Sequence, residues 1–239
     1  MSGPVDGTSR DGKSARGKRK GAGRKSAPPA HAPWPDRMAP DSILGVEAIT
    51  RFEHGDLNDI CDAAEDAIDA GGGFGWLRAP DRTMLESYWR GVLVVPERIL
   101  IVARIDRTIC GAAQLVRPAP NNEARAFAVQ LEHAFIAPWA RGHGLARMLM
   151  EKAEVLARNE GFDVIALDVR ATQDRAISLY ESMGYVRWGR NPFYARVEGK
   201  PVAGLYYWKD LNAAPDAAPD AASDAAPDKA PGDGTDGPE

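Results

Sequence analysis

The residues of this chain that could do chemistry are concentrated in a short segment at 136–146, which reads IAPWARGHGLA. Gly142 and Gly144 carry no Cβ, so the backbone can bend there and an anion can approach its N–H groups. A predicted helix at 142–160 follows, and its first N–H groups and positive dipole end also favour an anion. Arg141 adds a positive charge at the same place. The pattern predicts a pyrophosphate cradle.

Two better-known phosphate-binding patterns do not fit this segment. A Walker A loop is excluded because no Gly-Lys-Ser/Thr follows the glycines. The segment is also a poor dinucleotide-binding fingerprint, because it lacks the third glycine of that pattern. In addition, the strand before it is the fourth in the chain, whereas the fingerprint follows the first strand of its fold. The simpler alternative is that residues 142–144 only start the helix.

The cradle is positioned by an alternating set of predicted strands and helices. The hydrophobic pattern predicts strands at 44–52, 98–106, 108–117, 126–137, 163–170, 185–190 and 204–211. It predicts helices from Leu57 to the glycines at 71–75, and at 82–91, 142–160 and 172–183. The strand at 126–137, the helix and the apolar strand at 163–170 form a βαβ unit, so these two strands should be parallel neighbours. The fold class is α/β with a mixed sheet.

Two segments resemble the GNAT superfamily of acyl-CoA-dependent N-acyltransferases. The family pattern Arg-x-x-Gly-x-Gly/Ala is met by Arg141, Gly144 and Ala146, after a hydrophobic-x-Pro at residues 136–138. Residues 176–185, AISLYESMGY, are similar to the family's Ala-x-x-Leu-Tyr-x-x-x-Gly-Phe. The resemblance covers about residues 44–211. It implies a GNAT-like mixed, mostly antiparallel twisted sheet with a central parallel βαβ unit and flanking helices.

The resemblance also implies which residues bind acetyl-CoA, the co-substrate. The pyrophosphate would lie on the segment of Arg141, Gly142, His143, Gly144, Leu145 and Ala146. Backbone groups near Phe135 and Ile136 would pair with the pantetheine as an added strand does, where the strands at 126–137 and 163–170 splay apart. Gln173 stands where the family often has an Asn that contacts the pantetheine, and Gln keeps the amide but is one methylene longer.

Tyr180 is the candidate partner of the departing CoA sulfur. It lies on an apolar helix stripe with Leu179 and Met183, so a core tyrosine is the alternative. In the family a tyrosine here protonates the thiolate. Because a free tyrosine has a pKa near 10 and a thiol near 8.5, full proton transfer is uphill by roughly 2 kcal/mol. We therefore expect Tyr180 mainly to donate a hydrogen bond to the developing thiolate.

An amine must lose a proton before or during acyl transfer, and the sequence offers carboxylates for this. Only on the order of 10⁻³ to 10⁻⁴ of a lysine-like amine is neutral at pH 7. Glu132 is the candidate base, because alternation along its strand predicts that it shares a face with Ala134 and Ile136, with His133 on the opposite face. A structural carboxylate is the alternative for Glu132. Asp168, in an otherwise apolar strand, is a third possibility, either as the base or as an anchor for a neighbouring loop.

These residues predict an acetyl-CoA-dependent N-acetyltransferase that transfers an acetyl group directly to the primary amine of a small molecule. The acceptor pocket would form from the first two helices, the glycine loop at 71–75 and the aromatic, basic stretch at 188–196, although this stretch could instead pack the final hairpin. The alternatives are a protein Lys or N-terminal acetyltransferase and a non-catalytic acyl-CoA-binding module. Cys61 and Cys110 fall at core positions, so no acyl-cysteine is expected. The four histidines show no metal spacing, so no metal is expected.

Composition and charge divide the chain into three parts. Residues 1–40 hold nine basic and three acidic residues and are predicted to be a disordered basic tail. Residues 213–239 hold seven acids and one Lys in Ala/Pro/Asp-rich repeats and are predicted to be a disordered acidic tail. The acyltransferase domain is predicted at 41–212. Nucleic acid is expected to bind at most weakly, through the basic tail, and a homodimer is left open. No apolar run reaches the ~18 residues of a membrane span, so we expect no membrane contact. Two cysteines cannot form a disulfide framework, so we expect a protein of the reducing cytoplasm.

Overall fold

The computed structural model describes residues 42–72 and 75–213. All of them fall within the unit Asp36–Glu239. The predicted basic tail at 1–40 and the predicted acidic tail beyond Ala213 lie outside the described residues.

The described residues form a seven-stranded mixed sheet. In chain order its strands are β1 (Leu44–Ile49), β2 (Arg98–Ile105), β3 (Thr108–Val116), β4 (Ala128–Ile136), β5 (Val164–Arg170), β6 (Val186–Val197) and β7 (Lys200–Asp210). Their order in the sheet is β1-β2-β3-β4-β5-β7-β6. β4 and β5 are parallel, and the other neighbouring strands are antiparallel. The predicted βαβ unit is therefore confirmed.

Four α-helices accompany the sheet in this part of the chain: α1 (Asp56–Asp69), α2 (Arg82–Val94), α3 (Leu145–Asn159) and α4 (Asp174–Ser182). The α1 and α2 side chains pack with Leu100, Val102, Ala112 and Phe135 in one buried cluster. The α3 and α4 side chains pack with Ile101, Ala113, Leu131 and Leu167 in another. Because alternate residues of the same strands enter different clusters, the sheet is covered on both faces.

The parallel strands β4 and β5 separate half-way along their length. Their pairing runs from Ala128 opposite Val164 to Leu131 opposite Leu167 and stops there. β4 nevertheless continues to Ile136, and β5 continues to Arg170. The gap between the two ends is the splay that the family resemblance implied.

Two boundaries differ from the predictions for identifiable reasons. Helix α3 begins at Leu145 and not at residue 142, because Gly142 and Gly144 adopt left-handed φ values of 87° and 80° that a right-handed helix cannot contain. The final hairpin is longer than predicted, since β6 continues to Val197 and turns at Glu198 and Gly199, both with positive φ. The stretch at 188–196, which we expected before the last strand, is therefore part of β6.

Candidate active site

A cavity of about 1180 Å³ opens at the splay. The ends of β4 and β5 line it together with the starts of α3 and α4, and Gly71 and Gly72 after α1 line the other side. Pockets for drug-sized ligands are roughly 300–1,000 Å³, so this one has room for a large ligand.

The start of α3 has the features of an anion cradle. The first helical hydrogen bond runs from the Met148 N–H to the Gly144 carbonyl, and no side chain caps the helix, so the N–H groups of residues 145–147 are not used by the helix. A Cβ built on Gly142 or Gly144 would meet nothing within 4 Å, so open space lies beside both glycines. Both glycines also line the cavity. This geometry fits a pyrophosphate.

Positive charge dominates the cavity wall. The charged residues that line it are Arg141, Arg147, Arg170, Asp174 and Arg175. The Arg141 Nε donates to the Ile136 carbonyl at 3.2 Å, which holds its side chain beside the end of β4. Burial and the nearby Arg175 lower the pKa of Arg141, and a guanidinium remains charged at neutral pH. Such a wall suits a ligand that carries several phosphates.

The predicted pantetheine-pairing residues lie along the open edge of β4. Phe135 and Ile136 line the cavity, and the pairing recorded between the described residues of β4 and β5 ends at Leu131. On the edge of β4 that faces β5, the backbone groups of Phe135 and Ile136 are therefore available to an extended ligand. Gln173 also lines the cavity, but its Nε2 donates to the Gly71 carbonyl at 2.7 Å, so its amide ties the start of α4 to the end of α1.

Tyr180 lies on α4 and lines the cavity, with 7% of its surface exposed. Its ring packs against the rings of Tyr185 and Tyr207 at centroid distances of 5.8 and 6.2 Å. Burial raises its pKa to about 12, and the nearby Asp168 contributes. The hydroxyl is therefore neutral at pH 7. The raised pKa makes Tyr180 a weaker acid, which favours a hydrogen-bonding role over full proton donation to the thiolate.

The prediction that Glu132 shares a strand face with Ala134 and Ile136 is wrong, because β4 contains a bulge. Gln114 of β3 pairs with Glu132 and Ala112 pairs with Phe135, so two residues of β4, His133 and Ala134, stand opposite one of β3. Glu132 therefore shares a face with Phe135, the α1 and α2 face, and not with Ala134 and Ile136.

The Glu132 carboxylate faces the neighbouring strands of the sheet. Its Oε2 accepts from Arg98 Nη1 at 3.2 Å, and the same Arg98 donates to Gln114, whose amide donates to the Tyr88 hydroxyl at 2.8 Å. Glu132 does not line the large cavity or a smaller chamber of about 60 Å³ in the splay.

That smaller chamber brings together polar residues that sequence reasoning did not combine. Its polar lining is His133, Asp168, Arg170, Gln173, Tyr180 and Tyr194. Asp168 accepts from the Tyr194 hydroxyl and, at 3.1 Å, from Gln130 Nε2. Arg170 is 9% exposed and lines both the chamber and the large cavity.

Some of these residues could have been found from the sequence. Asp168 and Arg170 are two residues apart in an otherwise apolar strand and therefore share one face of it, which indicates a polar site. Tyr194 follows an Asn191-Pro192 pair, which signals a strand interruption. His133 has no such signal, because the bulge that reorients it depends on the β3 pairing.

Tyr194 reaches the chamber through an irregularity in the final hairpin. Between Asn191 and Ala195, β6 contains two more residues than the paired stretch of β7. The Asn191 side chain accepts from the Phe193 N–H at 2.9 Å and stabilises this bulge. The aromatic stretch at 188–196 was expected to line an acceptor pocket or to pack the final hairpin. Its Tyr194 lines the chamber, whereas Trp188 and Phe193 are 65% and 78% exposed and line neither the cavity nor the chamber.

The other predicted residues have simpler surroundings. His143 is exposed and its side chain lines neither the cavity nor the chamber. Cys61 and Cys110 are fully buried, and burial raises their pKa values to about 11 and about 12. In the described ranges, no group of three His, Cys, Asp or Glu side chains converges on a metal-binding arrangement. No helix in those ranges has the length and apolar character needed to span a bilayer.

A splayed parallel pair, an uncapped helix start and a buried tyrosine meet at the same gap, and the resemblance to acyl-CoA-dependent N-acyltransferases implied this arrangement. The sequence model of the acetyltransferase (GNAT) family matches residues 60–185 of this chain. The chain belongs to this family and is an N-acetyltransferase.

Curated relatives agree with the family. The "Uncharacterized N-acetyltransferase in hisH-hisA intergenic region" of Azospirillum brasilense is 60% identical over 130 residues, which are 54% of this chain and 77% of the relative. Human N-acetyltransferase 8 is 32% identical over 76 residues, which are 32% of this chain and 34% of that protein.

Solved structures show the same fold. An N-acetyltransferase from Staphylococcus aureus Mu50 has a TM-score of 0.62 and 17% identity, and the match covers 71% of this chain and 99% of that one. A Salmonella typhimurium protein described as an acetyltransferase, solved with acetyl-CoA, has a TM-score of 0.59 and 18% identity over 73% of this chain and 98% of that one.

Proposed function

We propose that this N-acetyltransferase uses acetyl-CoA and transfers the acetyl group directly to the primary amine of a small molecule. The observation that carries the proposal is the splay, where the cavity that contains the glycine cradle adjoins a small polar chamber. A thioester at the gap supplies an activated acetyl carbon. The residues at the gap must then orient it, exclude water and accept a proton.

The cradle residues and the open edge of β4 would hold the CoA moiety. The backbone N–H groups of residues 142–146 and the Arg141 side chain would bind the pyrophosphate. Phe135 and Ile136 would pair with the pantetheine through their backbones. Tyr180 would donate a hydrogen bond to the sulfur as the carbon–sulfur bond breaks, and its buried, neutral hydroxyl supports this role.

The acceptor side of the cavity supports a small molecule over a protein. The Gln173 amide donates to the Gly71 carbonyl at 2.7 Å, and Arg170 Nη1 donates to the Gly72 carbonyl at 3.5 Å. These bonds connect the end of α1 to the end of β5 and the start of α4. A peptide chain would need an open groove at this place, whereas a small amine needs only an entrance.

Direct transfer fits the surroundings of the two cysteines. An acyl-cysteine route needs a reactive thiolate, and both thiols are buried with raised pKa values. We also infer a cytoplasmic protein, and at most weak, tail-dependent contact with nucleic acid. Salt-sensitive RNA or DNA binding that disappears when residues 1–40 are deleted would assign such contact to the basic segment.

An acceptor panel tests the proposed function. Purified protein with acetyl-CoA should release free thiol when given at least one small primary amine, and the N-acetylated counterpart of that amine should give none. Lysine-containing and free N-terminal peptides form the second arm. Faster thiol release with peptides than with small amines would favour a protein acetyltransferase. Saturable acetyl-CoA binding without thiol release on any amine would favour a non-catalytic acyl-CoA-binding module.

A further inference from the structure

The backbone of β4 is unusual at His133. This residue adopts a left-handed φ of 52°, a conformation that costs a non-glycine residue of order 1–3 kcal/mol and that clusters at functional sites. The bulge turns the His133 ring toward α2, where it packs against the Tyr88 ring at 5.9 Å. Alternation along an unbroken strand would have placed it on the opposite face from Glu132. The bulge instead brings both side chains to the same side.

His133 lines the chamber between the splayed strands, as Tyr180 does. The chamber measures about 60 Å³, and a site of this kind needs roughly 10–15 Å³ to hold a water. It can therefore accept an amino group and the carbon that carries it. A nitrogen at this place would lie in a space that both His133 and Tyr180 line.

Glu132 is placed to act on His133 and not on the acceptor. Its carboxylate lines neither the cavity nor the chamber and accepts from Arg98 at 3.2 Å. The His133 Nδ1 lies 3.6 Å from Glu132 Oε2. A carboxylate at this distance stabilises an imidazolium more than a neutral imidazole.

We propose that His133 takes the proton from the acceptor amine and that Glu132 is the positioning residue that stabilises the resulting imidazolium. This inference deepens the proposed function and rests on it. His133 Nε2, the ring nitrogen farther from Glu132, is the proton acceptor.

The electrostatic surroundings of His133 are compatible with a neutral base. Burial lowers its pKa from the ordinary 6.5, Glu132 and Asp168 oppose that change, and Arg98 adds to it. The titratable and charged groups that face it are Tyr88 on α2, Arg98 on β2, Glu132 on β4, Asp168 and Arg170 on β5, Tyr180 on α4 and Tyr194 on β6. A histidine with a lowered pKa is mostly neutral at pH 7 and can accept a proton.

The step balances without any further reactant. The ammonium form of the acceptor first loses one proton to solvent. The neutral amine nitrogen then bonds to the acetyl carbonyl carbon while His133 Nε2 takes a second proton from that nitrogen. The carbon–sulfur bond breaks and its electron pair leaves on sulfur, toward the Tyr180 hydroxyl. The imidazolium then releases its proton to solvent, and the thiolate takes one from solvent.

The first test uses His133→Gly, because glycine adopts a left-handed φ without strain and the bulge should survive. With the best amine of the panel, we expect kcat to fall about 10² to 10⁴-fold, with an unchanged dissociation constant for acetyl-CoA. Added imidazole should restore at least part of the rate. His133→Asn, which also tolerates this φ, should be as slow but should not be rescued. His54→Gly, at an exposed histidine outside the site, should retain wild-type turnover.

The pH profile separates the two residues. Protonation of the amine itself lowers kcat/KM toward low pH in every variant. The wild type should show a further, steeper fall as His133 becomes protonated, and this additional limb should be absent in His133→Gly. Glu132→Gln removes a charge that raises the His133 pKa. The His133 limb of the Glu132→Gln profile should therefore lie at lower pH than in the wild type. Its kcat should fall less than that of His133→Gly. Wild-type turnover in both His133 variants, or a larger loss in Glu132→Gln than in His133→Gly, would overturn the inference.

A second readout does not depend on turnover and distinguishes the inference from the proposed function. In proton NMR spectra, the ring resonance of His133 can be assigned as the one that is absent from the His133→Gly variant. We expect it to titrate below pH 6.5 and to shift when n-propylamine is added to the CoA-saturated protein. A His133 signal that does not respond to the amine would overturn the inference, even if thiol release on the panel supports the proposed function. Absent thiol release with a responding His133 signal would reject the proposed function alone.

Discussion

Gly204 of β7 lies directly against the Tyr194 ring of β6, so closely that a methyl group added to Gly204 would overlap the ring. The absence of a Cβ therefore lets the Tyr194 hydroxyl of β6 reach over β7 to the Asp168 carboxylate of β5. Burial, followed by the hydrogen bond to Asp168, raises the pKa of Tyr194. The hydroxyl is thus neutral and can donate at any physiological pH.

Gly204→Ala should displace Tyr194 from Asp168. Overpacking of this kind costs about 1–3 kcal/mol, so urea unfolding should show a lower free energy of unfolding. The kcat/KM for the amine should fall, while the KM for acetyl-CoA should not change, because the cradle is on another part of the cavity. Gly189→Ala is the matched control in the same hairpin, since its Cβ would have its nearest neighbours at 3.8 Å. Equal effects of the two substitutions would contradict the role of the Gly204–Tyr194 contact.

Tyr180→Phe should reduce kcat by about 10² to 10³-fold, because it removes a hydrogen-bond donor to a charge that develops on sulfur. The ring and its packing remain, so acetyl-CoA affinity measured by calorimetry should change little. Tyr185→Phe provides the control, since this buried tyrosine packs against Tyr180 but lines neither the cavity nor the chamber. Unchanged turnover in Tyr180→Phe would remove the residue from the mechanism.

Gly144→Ala should weaken acetyl-CoA binding. The residue has a φ of 80°, which costs an L-residue roughly 1–2 kcal/mol, and its new methyl group would project into the open space of the cradle. The KM for acetyl-CoA should rise about tenfold or more, since each 1.4 kcal/mol is a factor of ten.

Gly161→Ala makes the same change at a φ of 87°, after the end of α3 and outside the cavity. It should lower the free energy of unfolding by a similar amount and leave the KM unchanged. A KM for acetyl-CoA that responds equally to both substitutions would show that backbone strain, and not the cradle, is responsible.

The sequence allowed most of the architecture to be predicted because the apolar periodicity is strong. The βαβ unit and the resemblance at 136–146 and 176–185 together led to the family and to the cradle. Periodicity could not reveal the bulge at His133, since the extra residue is defined by how β3 pairs with β4. The same limit applies to Tyr194, whose approach to Asp168 depends on the small residue at position 204 of a different strand.

A shortened chain of residues 41–212 should retain acetyl transfer. Every residue that we place in the cradle, the splay or the chamber lies within it. The kcat and the KM for acetyl-CoA should match those of the full chain within about twofold, an order-of-magnitude expectation for surface changes away from a site. A shortened chain that folds, as judged by circular dichroism, but does not release thiol would contradict the predicted domain boundaries.

The most direct test of the account follows the acetyl group itself. Rapid-quench measurements with isotope-labelled acetyl-CoA and the best amine of the panel should give one N-acetylated amine for each thiol released. No label should accumulate on the protein at any time. Labelled protein that forms and decays before the product would contradict direct transfer, and thiol release without an N-acetylated amine would contradict the proposed acceptor.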